Sequence, residues 1–439
     1  MKRSVALLLA SFFFLASIAR AQNAPNATQA PRAILLKARR MLDVRAGRYV
    51  EGAAILIQGE RIKEVGLAAE LSSRLPKEVQ VIDLGAATLL PGLIDCHTHL
   101  MARIPEGDDG YILNLATKSL AFRALEGAAN AHITLQAGYT SVRDVENEGS
   151  GYADVALRDA INEGLVPGPR MAVATRAIAA AGQYNPFGVS PDLNDFPTGA
   201  QMISGIEEAR RAVREQIGHG ADLIKVYADW EYPTLTVEEL RVIVEEAHKL
   251  HRRVAAHATT AEGIRNALNA GVDSIEHGHG ADQQDVELMK SKGVFWIPTV
   301  GVIDANLAKP TAQPASDERR ERRKHFLDAI QRGIQQGLSL GVKMAAGFDA
   351  AEADGQGKNA DELVALVKRG FTPLGAIRAT TTTAAEVLGW EDRVGALEAG
   401  KFADIIAVQG DPIADISVLQ HVSFVMKGGS VVRNSATAR

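Results

Sequence analysis

Cysteine is almost missing from this chain: Cys96 is the only one in 439 residues. That excludes an internal disulfide framework and any cysteine-rich zinc module. Aromatic residues are few, at 5%, so an aromatic-rich recognition surface is not expected. Positive charge has no surplus either, since 48 basic residues face 53 acidic ones for a net charge of -5. A dedicated nucleic-acid binder would carry a basic excess. Beyond one N-terminal stretch, no apolar run approaches the about 20 residues that a membrane span requires. What the chain does have is glycine, 40 residues of it, in keeping with many tight turns between strands and helices. Its length suggests about three domains, a soft prior because an α/β barrel occupies about 250 residues as one unit.

The N-terminal stretch reads as an address. Lys2 and Arg3, an apolar run over residues 5–18 and Ala19-Arg20-Ala21 are the charged region, apolar region and A-x-A site of a secretory signal peptide. A membrane anchor is the competing reading, but the run is short for a span. Cleavage after Ala21 removes three basic residues and deepens the net charge from -5 to -8. Residues 22–32 are then a flexible leader. The mature protein is expected to be exported, periplasmic or secreted, with no membrane attachment.

Residues 33–88 read as short strands at 33–36, 54–57, 61–62 and 79–82, separated by glycine and charged turns. The same style returns at 404–408, 422–426 and 430–432, with Gly428-Gly429 as a hairpin turn. Two β-rich ends around an α/β middle predict one small sheet domain, a β-sandwich built from residues 33–88 and 394–435. The middle, 89–393, alternates strands at 89–97, 141–145, 171–175, 223–228, 254–258, 274–278, 294–299 and 343–349 with helices such as 204–218, 237–250 and 261–270. Thr236, followed by Glu238 and Glu239, is an N-cap with acids in the first turn. Eight alternating strands predict an α/β fold of the (β/α)8 TIM-barrel type. A doubly wound sheet is the alternative, because alternation alone does not show closure. Long loops are expected at 177–199 and 301–316, after the third and seventh strands, at the end where barrel sites are built. The charged run 317–324 reads as the solvated start of a helix.

Chemistry-bearing residues gather at strand ends. In Asp95-Cys96-His97-Thr98-His99, the two histidines lie two apart on a strand, so both face one way and can converge on one metal. His257 ends the fifth strand and His277 the sixth. A histidine in an apolar strand is usually a satisfied core group, but two on successive strand ends aimed at the same mouth argue for ligands. Asp349 ends the eighth strand, where a helix N-cap is the bland reading. Lys225, between Ile224 and Val226, is costly to bury unless paired or modified. Tyr227 and Arg143 are candidates for a substrate carboxylate, against barrel packing and an ion pair with Asp144. His279 is a candidate substrate contact. His132, His219, His248, His251, His325 and His421 read as surface residues, and Cys96 as a small buried apolar residue.

These motifs (PGLIDCHTHL, LIKVYAD, VAAHATTAEGIRNALNAGVDSIEHG and TTTAAEVLGWEDRVGALEAGKFADIIAV) resemble those of the metal-dependent amidohydrolase superfamily. Within it, the chain resembles the branch with imidazolonepropionase-like, Xaa-Pro dipeptidase-like, basic-residue carboxypeptidase and ochratoxin-hydrolysing members, from about residue 33 to 432. The resemblance implies a barrel beside a β-sandwich made from both chain ends. It also implies two divalent cations, usually zinc: His97, His99 and Asp349 on the first, His257 and His277 on the second, and Lys225, carboxylated by CO2, bridging both. A hydroxide between the metals would attack an amide or peptide carbonyl, with Asp349 as the proton carrier and no protein nucleophile. The implied substrate is a small molecule or short peptide, N-acyl amino acids and ochratoxin-type amides included, and relatives often form homo-oligomers. One departure stands out. Where several relatives have Gly-Gly-His, this chain has Gly182-Gln183-Tyr184, so any substrate-holding role of that histidine is vacant here or falls to Tyr184. The alternatives are a mononuclear deaminase or cyclic-amide (imidazolone-type) hydrolase and, from another class, a non-catalytic periplasmic binding protein.

Overall fold

The computed structural model describes residues 33–75, 78–105, 110–184, 189–190, 192–193, 196–230, 232–309 and 317–435. The signal peptide expected at 1–21 and the leader expected at 22–32 lie outside the described residues. Among the described residues no helix is long and apolar enough to cross a membrane.

Two sheets are built from the chain ends, one of N-terminal strands alone and one shared by both ends. One has the order Arg61–Leu67, Ala53–Gln58, Ala33–Lys37, Val79–Asp83. The other runs Ser430–Asn434, Val422–Lys427, Ile405–Val408, Thr88–Pro91, Arg40–Asp43, Arg48–Glu51, so C-terminal strands lie beside N-terminal ones. Alternate residues of both, among them Leu36, Ile55 and Ile57 from the first and Leu89, Ile405, Phe424 and Met426 from the second, share one buried cluster, as the two-residue period of a strand requires. Gly428 and Gly429 both take positive φ, 53° and 75°. They join Lys427 to its partner Ser430 in the two-residue hairpin that the dipeptide predicts.

The expected strand 89–97 is in fact two. Thr88–Pro91 pairs with Ile405–Val408, whereas Leu93–Thr98 enters the middle of the molecule beside Tyr139–Asp144. The break falls at Gly92, where a Cβ would sit 2.1 Å from Thr140 Oγ1, so no larger residue fits.

The middle is an α/β fold with parallel sheets. Leu93–Thr98, Tyr139–Asp144 and Arg170–Val173 form one. Ala177–Ala180, Ile224–Tyr227, Val254–Ala258, Ser274–His277 and Phe295–Ile297 follow one another in a second, with Ala200–Ile203 at its edge. Residues 343–349, expected as a strand, form only a one-residue bridge at Met344 with Trp296, yet they are hydrogen-bonded on both sides. Trp296 N donates to Lys343 O (2.9 Å), Cys96 N to Ala346 O (2.9 Å) and Asp349 N to His97 O (2.9 Å). The helices between strands bury one stripe each. Val237–Lys249 starts at a capping box of Thr236 and Glu239 and buries Leu240, Ile243, Val244 and Ala247, the spacing of a single apolar face.

Two expected loops contain regular structure. Segment 177–199 opens with the strand Ala177–Ala180, and segment 301–316 opens inside the helix Val300–Ala308. The charged run 317–324 does begin a helix, Asp317–Leu340.

Candidate active site and metal centre

The strand ends converge at one end of the parallel sheets. The register sets Tyr227 beside His257 and Ala258 beside His277. Ring centroids lie 5.2 Å apart for His97 and His99, 4.9 Å for His97 and His277, and 4.6 Å for His257 and His277. Asp349 Oδ1 reaches His99 Nε2 at 3.1 Å and His97 Nε2 at 3.5 Å. One ligand atom from each of His97, His277 and Asp349 falls within 4.8 Å of the others. His257 Nε2 is buried without a hydrogen-bond partner. Together with Lys225, which is 1% exposed, all six expected ligands line one cavity of about 430 Å³.

The backbone bends to make this possible. His277, Thr299, Asp349 and Glu148 all take positive φ, at 69°, 47°, 64° and 51°, each costing about 1–3 kcal/mol. Strain of this kind collects where side chains must be aimed. Gly347 has no room for a side chain, since a Cβ there would lie 2.6 Å from His97 Cβ. That close approach lets the stretch carrying Asp349 pass directly against His97.

Electrostatics separate the six candidates. Burial, helped by nearby Lys225, lowers His97 to about 4. Burial likewise holds His257 and His277 well below the ordinary imidazole value, so these rings are neutral with a lone pair to offer. Burial would lower His99 too, but Asp349 and Glu148 beside it win and hold it well above. Burial would raise Asp349, yet His97, His99 and Lys225 keep it below the usual carboxylate range. Lys225 is lowered by burial despite Glu276, Glu146 and Asp349 nearby.

Other expected residues divide. Tyr227, Tyr184 and His279 line the cavity. Tyr227 Oη donates to Glu146 Oε2 at 2.5 Å, and Tyr184 Oη donates to Glu146 Oε1. His279 Nε2 donates to Pro298 O at 2.9 Å. Arg143 does not line this cavity. It is held beneath it by Glu276 Oε1 at 2.7 Å, so it is not offered to a substrate carboxylate, and its ion pair is with Glu276 rather than Asp144. Cys96 is fully buried beside Ile94, Ala345 and Ala384, and burial pushes its thiol far up. The six histidines expected at the surface are exposed.

Three carboxylates escaped sequence reasoning. Glu276 Oε2 accepts from His97 Nδ1 at 2.8 Å, and Glu148 Oε1 lies 2.7 Å from His99 Nδ1. Glu146 is buried among tyrosines, and burial with neighbouring Glu148 raises it to about 8. The available signal was the pair Glu146 and Glu148 directly after the second strand, at the same end as His97. Aromatic rings add a wall: Trp230 stacks on Tyr227 with centroids 4.8 Å apart, and Tyr111 Oη lies 3.4 Å from Tyr184 Oη.

Comparison with known proteins matches the model of the "Amidohydrolase family" to residues 88–432. Ochratoxinase of Aspergillus niger is 34% identical over 418 residues, covering 88% of this chain and 84% of the relative. Its crystal structure superposes with a TM-score of 0.80 at 31% identity, covering 92% of this chain and 96% of that one. The crystal structure of a Xaa-Pro dipeptidase with methionine bound in its active site gives a TM-score of 0.79 at 32% identity, covering 91% and 99%.

Proposed function

The chain belongs to the amidohydrolase family, and from that premise we propose that it is an exported hydrolase of amide or peptide bonds working with two divalent cations, zinc by its ligand chemistry. The observation that carries this reading is the convergence of His97, His99, Lys225, His257, His277 and Asp349 on one cavity. Neutral imidazoles and carboxylate oxygens are the donors zinc takes, and the orphaned His257 Nε2 is a lone pair that a cation would satisfy. His97, His99 and Asp349 would hold one metal and His257 and His277 the other. Lys225, whose ammonium burial disfavours, would react with CO2 and serve both as a carbamate. When bound, the cations supply Lewis acidity toward the scissile carbonyl and toward water.

The protein's own groups complete the chemistry. Asp349, ionised and 24% exposed on its side chain, takes a proton from the attacking water and delivers it to the leaving amine. Trp230, Tyr227, Tyr184 and Tyr111 flank the substrate and exclude bulk water from the carbonyl. Likeness to an ochratoxinase and a Xaa-Pro dipeptidase supports dipeptides, N-acyl amino acids and ochratoxin-type amides as the substrates to offer first.

Two finer points of architecture belong to the same reading. The hydrogen bonds from Trp296 to Lys343 and from Cys96 to Ala346, with Asp222 N donating to Val173 O at 2.8 Å, support a closed (β/α)8 barrel over residues 89–393. The shared cluster of the two terminal sheets supports a β-sandwich domain. Export after cleavage behind Ala21 would give a mature N-terminus at Gln22, readable by N-terminal sequencing of the extracytoplasmic fraction. A homo-oligomer is expected by light scattering.

The deciding experiment loads the mature protein with zinc, counts metal, and offers a panel of dipeptides, N-acyl amino acids, lactones and ring amides with products identified by mass. Two metals per chain and amide cleavage are expected, and Lys225→Ala should lose both metal and turnover. A fully active, metal-free Lys225→Ala protein would sink the proposal. A one-metal reading, with deaminase or ring-amide chemistry, is favoured by the compactness of His97, His277 and Asp349 alone. One metal per chain would establish it instead.

A further inference from the structure

We propose that the buried pair Arg143–Glu276 is a positioning device that fixes the orientation and tautomer of His97, a role that rests on reading His97 as a metal ligand. Glu276 is fully buried and accepts from every side. His97 Nδ1 donates to Oε2 at 2.8 Å, Arg143 Nη2 to Oε1 and Oε2 at 2.7 and 2.8 Å, and Ser274 Oγ to Oε1 at 2.6 Å. Arg143, 4% exposed, spreads its other nitrogens over two strands. Nε donates to Cys96 O at 2.6 Å, the carbonyl directly before His97, and Nη1 donates to Ser274 Oγ at 3.0 Å. The strands Leu93–Thr98, Tyr139–Asp144 and Ser274–His277 are thereby tied together under one imidazole.

The consequence for His97 is definite. An ionised carboxylate at Nδ1 holds the proton there and turns the Nε2 lone pair toward Asp349, where the ligand atoms gather. Arg143 Nη2 reaches both carboxyl oxygens and Ser274 Oγ donates to one of them, so Glu276 is placed as an acceptor toward His97. Glu148 Oε1 also lies 2.7 Å from His99 Nδ1, so a carboxylate stands near Nδ1 of both histidines of the H-x-H motif. Stability alone is a poor reason to keep such a pair, because well-packed apolar residues in place of a buried ion pair are often neutral or stabilising. Orientation of His97 is the gain that an apolar pair cannot supply.

The test is the double variant Arg143→Met/Glu276→Leu, which leaves no uncompensated charge. It should keep the parent's far-UV circular dichroism and melt within a few degrees of it, yet bind zinc about 10–100-fold more weakly in chelator competition. In the metal-free protein, 15N NMR should show His97 as a single Nδ1–H tautomer in the parent and as a mixture in the variant. Unchanged zinc affinity and an unchanged tautomer in a folded double variant would overturn the proposal. If the double variant does not fold, Arg143→Lys keeps the charge but not the fork, and should weaken zinc several-fold in a folded protein; unchanged affinity and tautomer there overturn it equally. A parent that binds no zinc while the variant still loses the Nδ1–H tautomer would dismiss the metal reading and leave the positioning role standing.

Discussion

Glu362 shows what burial does to one side chain. It is 1% exposed, its Oε1 has no hydrogen-bond partner, and burial raises it to about 8 although the Gly301 and Val300 amides pull it down. A carboxyl raised on folding binds a proton that the unfolded chain has already released above about pH 4.5. Stability is therefore lost as pH rises toward 8, by up to about 1.4 kcal/mol per pH unit. Glu362→Gln should flatten that slope and melt higher than the parent at pH 8. Thermal unfolding at pH 5 and pH 8 checks it, and an equal fall in both proteins contradicts it. Single residues also mark the limit of what sequence could tell. His97 and His99 were legible because a strand puts i and i+2 on one face. Glu276 was not, because the same rule sends it to the face opposite its neighbour His277. The positive φ at His277 breaks the alternation and lets both side chains turn inward.

At the scale of elements, period and capping were readable, and close approaches were not. The helix 237–250 was legible from Thr236 and its acids, and the capping box is present. Thr236→Ala should cost about 1 kcal/mol of stability and leave turnover untouched, since Thr236 does not line the cavity; urea unfolding and a rate assay together decide. The strand Ala177–Ala180 escaped because alanine is a weak strand former, and the helix Val300–Ala308 because Gly301 near its start reads as a loop. Gly347 illustrates a requirement that lies wholly in tertiary contact. Gly347→Ala would drive a methyl into His97 Cβ and Ile297, an overpacking cost of about 1–3 kcal/mol. Because the displaced residue is a proposed ligand, zinc affinity should fall more than melting temperature does. A variant that loses stability but binds zinc like the parent would detach Gly347 from the site.

For the molecule as a whole, the order of strands makes the active site depend on the far C-terminus. Val422–Lys427 covers Ile405–Val408, which covers Thr88–Pro91, and one residue later, past Gly92, the chain becomes the strand that carries His97. Phe424, Val425 and Met426 are 0% exposed, and burying such side chains contributes roughly 1.5–3 kcal/mol each. Their sum is comparable to the about 5–15 kcal/mol that holds a domain together. Removing them also uncovers an apolar edge at Ile405–Val408, a template for pairing with other chains. That the two ends were β-rich was plain in the sequence, but the interleaved order was not, since it is set by contacts more than 300 residues apart along the chain. A chain ending at His421 should therefore aggregate or, where kept soluble, lose zinc affinity together with turnover, although no residue of the cavity has been touched. Size-exclusion chromatography with metal analysis reads both effects. A truncated chain that is soluble, zinc-loaded and fully active would show that the terminal sheets fold apart from the site and leave His97 held by the parallel strands alone.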